Sequence, residues 1–391
     1  GLLFAGTDDG VLVSFDDGAH WQSLQRNLPR AWVRDLLVHG DDLIAATQGR
    51  ALWVLDNVSP LRQMDRAPAH GQLFAPATAL RLRGSQNKDT PLPPEEPVGT
   101  NPPQGAMFDY WLARPAKRAV VLEVRDTQGN LVRRFASTDA PERLDVEDRY
   151  FADTWVKPRA PLPAAAGMHR FVWNLRYPRP QAAQYGYSIA AIWGEDTPVV
   201  PEGPLVPPGD YRVSLSVDGK AASTQTLHVV ADPRRAFDAA AAQAALAFSQ
   251  ELQTALQRDY AAQLEVRWLS KQSAALRKAG GDNLAAPVRA ALDALDAGMA
   301  PLLKGEGDRS PNLAAIGDII GSLEVDVEGS DAAPVAAQRE ALKVSLDRLE
   351  TAEKRWVELR AKELTALNAA LRSAGGKAIA IPSLEKIRDR R

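Results

Sequence analysis

The residues whose types and spacing invite a chemical reading lie near the start of the chain. In "SFDDGAHW", Ser14, Asp16, Gly18 and Trp21 bring together a hydroxyl, a carboxylate, a glycine and an indole. Asp16 is in form a candidate acid or base, and it is equally the side chain of a tight turn. The Ser14 hydroxyl and the Asp16 carboxylate can both accept hydrogen bonds from nearby backbone N–H groups, and Gly18 can take the positive φ that a reversal needs. Trp21 would then lay a large apolar surface under the neighbouring strand. A turn accounts for all four residues without a substrate.

Other candidates divide in the same way. The pairs Asp8-Asp9, Asp16-Asp17 and Asp41-Asp42 carry oxygen ligands of the kind calcium takes from loops. Each pair falls at a turn, where aspartate is favoured anyway, and none has EF-hand spacing. His20, His39, His70, His169 and His228 are scattered, with no His-x-x-x-His or His-Glu-x-x-His pairing on a helix, so no metal site is expected. The chain has no cysteine, which excludes a thiol nucleophile, a zinc-thiolate site, an iron–sulfur cluster and a disulfide framework. No Gly-x-Ser-x-Gly elbow, P-loop or dinucleotide fingerprint occurs, so no cofactor is expected. In "FDYWLARP" and "HRFVWNLRYP", alternation sets Phe108, Tyr110 and Leu112 on one face and Asp109 and Trp111 on the other, while Phe171 and Trp173 share a face. Core is the simpler reading of these rows, and Trp111 leads the alternative of a sugar-stacking platform.

The elements that must position these residues follow from length and pattern. A chain of 391 residues exceeds what one apolar core usually organises. Its net charge of −2 comes without a block of one sign, which argues against nucleic acid as a partner. No apolar run is long enough to span a membrane. From Gly1 to about Asn57, short apolar runs (Leu2 to Ala5, Val11 to Phe15, Val33 to Val38, Leu43 to Ala46, Leu52 to Leu55) alternate with "TDDG", "DDGAH", "HGDD" and "TQGR", the rhythm of antiparallel sheet. A linker is expected over 59–105, where "TPLPPEEPVGTNPPQG" is too rich in proline for a central strand. From Phe108 to Phe135, period-two runs flank a Gln-Gly-Asn turn and read as a hairpin. "GMHRFVWNLRYP" adds a strand, and "PPGDYRVSLSVDGKAASTQTLHVVADP" adds a second hairpin about Asp218-Gly219. These predict an immunoglobulin- or fibronectin-like β-sandwich over 106–232. After Pro233 the period moves to near 3.6. One stripe runs through Phe237, Ala244, Phe248, Leu252, Leu256 and Tyr260, and another through Leu342, Leu346, Leu349, Ala352, Trp356, Leu359, Leu367 and Leu371, so a helical bundle is expected over 233–391.

Ser14, Asp16, Gly18 and Trp21 also match the Asp-box of the BNR repeat, the turn that recurs in blades of sialidase-like and sortilin-like β-propellers. "LLFAGTDDGVLVSFDDGAHWQSLQRNLP" followed by "VRDLLVHGDDLIAATQGRALWVLD" resembles the last blade and closing strands of the large bacterial BNR-repeat glycosyl hydrolases. The resemblance implies a multidomain chain, β then α: a partial β-propeller of the last one to two blades over 1–58, then linker, sandwich and helical tail. It implies that the Asp-box is structural and lies away from the propeller mouth. Sialidase chemistry in that family needs an arginine cluster, a Tyr–Glu pair and an acid Asp spread over several blades. Neither Arg34 nor Arg50 can be matched to that cluster, so no catalytic label is carried over.

Fewer than two blades cannot close a propeller, so further blades, from the same polypeptide or another chain, are expected to complete it. The chain opens "GLLFAGTDDG" without a methionine or a signal segment, and part of the protein is expected to precede it. The function implied is that of a C-terminal, non-catalytic scaffold of an exported propeller protein, secreted or in the bacterial envelope, with a glycan or a protein as ligand. Two alternatives stand beside it: a glycoside hydrolase whose carboxylates lie on other blades, and a protein-binding, sortilin-like propeller.

Overall fold

The computed structural model describes residues 1–64, 71–83, 99, 102–141, 160–187, 199–305, 307 and 310–388. Sheets come first in the chain and helices after. Strands β1 (Leu3–Gly6), β2 (Val11–Ser14) and β3 (Gln22–Ser23) form an antiparallel sheet in that order, and β4 (Val33–His39), β5 (Asp42–Thr47) and β6 (Leu52–Leu55) form a second. Both follow the short apolar runs of the sequence, broken by Asp- and Gly-rich turns. In β2, Val11 and Val13 point inward together and are buried.

Next come β7 (Gly71–Leu73), β8 (Ala79–Arg81), β9 (Ala106–Leu112), β10 (Val120–Arg125), β11 (Leu131–Ala136), β12 (Gly167–Trp173), β13 (Gly186–Tyr187), β14 (Val199–Val200), β15 (Gly209–Val217) and β16 (Lys220–Ala231). They make a five-stranded sheet in the order β11-β10-β15-β16-β8, a three-stranded sheet β12-β9-β7 and the pair β13-β14. Two outcomes differ from the expectation. Strands β7 and β8 lie inside the stretch read as linker, β8 running parallel to β16. Strand β9 does not join the hairpin that follows it but pairs with β12, Phe108 opposite Phe171. The hairpin at Gln128-Gly129 is β10 with β11, and that at Asp218-Gly219 is β15 with β16.

The two larger sheets share one apolar core. Phe108, Tyr110, Leu112, Val120, Leu122, Val124, Trp173 and Val213 are all fully buried in it. Trp173 stacks on Phe108 with ring centroids 6.3 Å apart and meets Tyr211 edge-on at 6.2 Å. Its indole N–H donates to the Arg176 carbonyl at 2.9 Å, giving the buried ring the polar partner it needs. Of the proline-rich run, most lies outside the described residues, as do His70 and much of the loops 139–163 and 178–207.

Helices α1 (Ala239–Gly280), α2 (Ala286–Lys304), α3 (Leu313–Glu328), α4 (Ala336–Leu359), α5 (Thr365–Ser373) and α6 (Leu384–Arg388) complete the chain. Asp238 caps α1, its carboxylate accepting the Ala240 and Ala241 N–H groups at 2.9 and 3.1 Å. Both expected stripes are buried through most of their length in a common core. A π turn at Arg360–Leu364 joins α4 to α5 and shifts the stripe by one place, so that Leu359, Leu364, Leu367 and Leu371 all stay inside. Polar groups interrupt this core, Asp259 among them. Asp259 of α1 is 1% exposed and takes a 2.6 Å hydrogen bond from Gln263, and Gly317 of α3 crosses so close that a Cβ there would lie 2.5 Å from Asp259 Oδ2. Burial pushes the Asp259 carboxyl up to about 7. Among the described residues, no helix is long and apolar enough to cross a membrane.

Candidate functional site

The Ser14–Trp21 stretch is a closed turn. Ser14 Oγ donates to Asp16 Oδ1 at 2.9 Å and accepts the Gly18 N–H at 2.9 Å, and Asp16 Oδ1 accepts the His20 N–H at 2.9 Å. The His20 ring lies 2.6 Å from Asp16 Oδ2. Asp17 and Gly18 have φ of 58° and 94°, the left-handed values for which glycine has no Cβ penalty. The His20 ring, then the His20 backbone N–H, then Ser14 hold the Asp16 carboxyl down to about 2. At neutral pH the carboxyl is ionised and its Oδ1 is occupied by the Ser14 hydroxyl and the His20 N–H. Trp21 packs over Gly18 beside Leu3 and remains 42% exposed, more open than the expected place under a strand. Asp16→Ala is expected to accelerate hydrogen exchange of the His20 amide and leave global melting nearly unchanged. In the parent chain, the low carboxyl pKa keeps the turn's contribution above about pH 4 and loses it as pH falls through about 2, which amide exchange against pH would read.

The three acidic pairs stay apart in separate turns. Asp9 faces Arg30 at 3.7 Å, Asp41 pairs with Arg62, and Asp42 accepts the Asn57 N–H at 2.9 Å. His228 meets Asp210 at 2.6 Å, His169 meets the Ala165 carbonyl at 2.7 Å, and His39 is exposed. Among the described residues, no group of three or more His, Cys, Asp or Glu side chains is arranged to hold a metal. Arg34 lies over the Trp32 ring at 3.5 Å and donates from Nε to Gln48 at 2.6 Å, while Arg50 offers its carbonyl to Trp53 at 2.7 Å. Trp111 sits between Gln72 of β7 and Met168 of β12, half-buried, with its indole N–H out of solvent and, among the described residues, without a partner.

What the first two sheets assemble is a surface. Hairpins β1–β2 and β5–β6 have the same form: Leu3 faces Ser14 and Leu43 faces Leu55, so Phe4, Val11 and Val13 occupy the places of Ile44, Leu52 and Val54. Phe4 and Val11, on one face of the first sheet, pack with Leu43, Ala45, Trp53 and Leu55 on the opposite face of the second. The contact is therefore head-to-tail: the front of one hairpin lies on the back of the next. The front of the second sheet is left open, with Leu37 57%, Leu52 70% and Val54 51% exposed around half-buried Ile44. Strand β6 is an edge of its sheet, and the chain leaves it through a short turn at Ser59–Gln63. A small cleft along the seam is lined by Val11, Leu24, Arg26, Leu43, Trp53 and neighbouring residues, none of them a carboxylate.

Comparison with family models, with curated proteins and with solved structures finds no match. The chain's own geometry therefore carries the functional reading.

Two ionic junctions, unsignalled in the sequence reading, hold the parts together. Arg170 of β12 makes a fork with Asp109 of β9, Nε to Oδ1 at 2.9 Å and Nη2 to Oδ2 at 3.1 Å, and donates to the carbonyls of Asp56 and Asn57 just after β6 at 2.7 and 2.8 Å. Arg176, beyond β12, donates to Glu328 of α3 at 2.7 Å, to Glu202 at 3.0 Å and to the Gly203 carbonyl at 2.8 Å. Arg81 and Arg83 reach Asp331 at 2.7 and 2.8 Å. The one available signal for Asp109 was a charge on a strand whose other residues are mostly apolar.

Proposed function

We propose that this chain is the C-terminal, non-catalytic scaffold of a larger β-propeller protein of the BNR-repeat, sialidase- or sortilin-like type. Residues 1–58 would supply the last one to two blades, the paired sheets a sandwich, and the helices a supporting bundle. The observation that carries the reading is the head-to-tail packing of the first two sheets with an apolar front left open at Leu37, Ile44, Leu52 and Val54. A head-to-tail contact repeats until a ring closes or something else covers the last face, and a contiguous apolar patch at the surface of a folded chain marks an interface. The fitting occupant is another sheet whose inner face resembles Leu43, Ala45, Trp53 and Leu55, from the same polypeptide or from another chain. The Ser14–Trp21 turn supports the family reading as an Asp-box with a structural role. An exported setting belongs to the same proposal and rests on the family resemblance.

The test is Leu52→Glu in the protein from its native source. The variant is expected to lose the neighbouring blades, read as new protease cuts in them or as loss of a partner chain on gel filtration. Unchanged cleavage and unchanged assembly would overturn the reading.

A further inference from the structure

The junction between α3 and the β-region contains a carboxyl group that the fold does not use as an ion. Glu324 is fully buried on α3, and among the described residues neither of its carboxylate oxygens has a hydrogen-bond partner. One turn on, Glu328 takes the available donors: Arg176 at 2.7 Å, the Leu205 N–H at 3.3 Å and, from α1, the Ser249 hydroxyl at 3.3 Å. Arg176 is shared with Glu202, which also faces Arg179 at 4.0 Å. The charged groups around Glu324 are thus Glu328 on its own helix and Arg176, Arg179 and Glu202 from the β-region. Farther along the seam, Arg83 reaches Glu328 at 3.7 Å and Asp331 at 2.8 Å. An ionised Glu324 would add a charge with no solvent and no donor, beside two carboxylates that already hold the nearest guanidinium.

We propose that Glu324 makes this seam a proton-controlled latch, closed while its carboxyl is neutral and released when the carboxyl ionises. Release separates the end of α3 from Arg176 and from the Glu202–Leu205 segment, and so uncouples the helical region from the sheets. Burial, with Glu328 adding to it, pushes the closed-state carboxyl from an ordinary 4.5 up to about 9. The sign follows from linkage. The closed state keeps the proton up to about pH 9, whereas an opened, solvated Glu324 gives it up near 4.5. Closure is therefore fully favoured below that lower value and weakens about tenfold per pH unit as pH rises through the interval, levelling above about 9. Asp259, a second buried carboxyl of the helical region, faces Gln263, Asp318, Arg267 and Glu353, and its own pH dependence ends near 7.

The experiment is hydrogen exchange by mass spectrometry on the whole chain from pH 5.5 to 9, corrected for intrinsic exchange, following peptides over 199–206 and 324–331. In the parent chain the opening constant of both segments is expected to rise about tenfold per pH unit. In Glu324→Gln it is expected to stay flat, with Glu324→Met as the second neutral variant should the amide fold poorly. Asp259→Asn is expected to leave the slope above pH 7 as it is. A flat response in the parent chain, or the same slope in the neutral variants, would overturn the proposal.

Discussion

Arg170→Ala is expected to cost about 3 kcal/mol of stability at pH 7, within the range for breaking a buried pair and reduced for the partial exposure of the arginine. The guanidinium does two things at once. Its fork neutralises Asp109, whose side chain is 5% exposed, and its remaining donors hold the chain at Asp56 and Asn57. Without it, among the described residues, Asp109 keeps one side-chain hydrogen bond, from the Asn57 amide at 3.5 Å. Burial already pushes the Asp109 carboxyl upward against the pull of Arg170, and removing that pull raises it further. The group then binds a proton more tightly folded than unfolded, so the loss is expected to shrink as pH is lowered towards 4. Arg170→Lys should recover part of the loss, since an ammonium restores charge and not the planar fork. The double change Asp109→Leu with Arg170→Met should be milder than Arg170→Ala alone, because no charge is then buried unpaired. Urea unfolding at pH 4 and pH 7 checks all of these.

Arg176→Ala is expected to be of similar size, about 3 kcal/mol, with a different signature. Its partners Glu328 and Glu202 are 13% and 18% exposed and belong to the helical region and the β-region respectively. The carbonyl of Arg176 holds the Trp173 indole, and a backbone acceptor survives the substitution. The sheet core should therefore remain intact while the seam to α3 weakens, and one melting transition is expected to become two. Calorimetry reads this directly: a single transition merely shifted downward would mean that the arginine supports the general fold and not the junction.

The strands were legible where the chain alternates for four or more residues, as in "GVLVSF" and "DYRVSLSV", and the helices where the stripe is long. Strands β7 and β8 are three residues each, too short to show a period, and exist because β9 and β16 present edges to them. Strand β9 was legible as a strand, but nothing near it in sequence reveals its partner more than fifty residues on, in β12. The turn at Ser14–Trp21 was legible in its hydrogen bonds, since Ser, Asp and Gly at that spacing leave few other arrangements. The exposure of Trp21 was not, because it depends on what lies across the sheet. Arg170 and Arg176 sat among aromatics in "HRFVWNLRYP" as ordinary strand and loop residues, and their roles appear only when Asp109 and Glu328 arrive from distant elements. The open front face had a signal: in "DLIAAT" and "LWVL" both phases of the alternation are apolar, as in a strand covered on two sides.

The central claim is that this front face is covered by another β-sheet in the native protein. The most direct measurement places a photo-reactive phenylalanine analogue at Val54 of the native protein and sequences the peptide it captures. Capture of a strand-like segment with alternating apolar residues, together with slow amide exchange over Leu52–Leu55, is the expected result. A probe that reacts only with solvent, over amides that exchange freely, would show that the face is open in the native protein and that the sheets of 1–58 stand without neighbours.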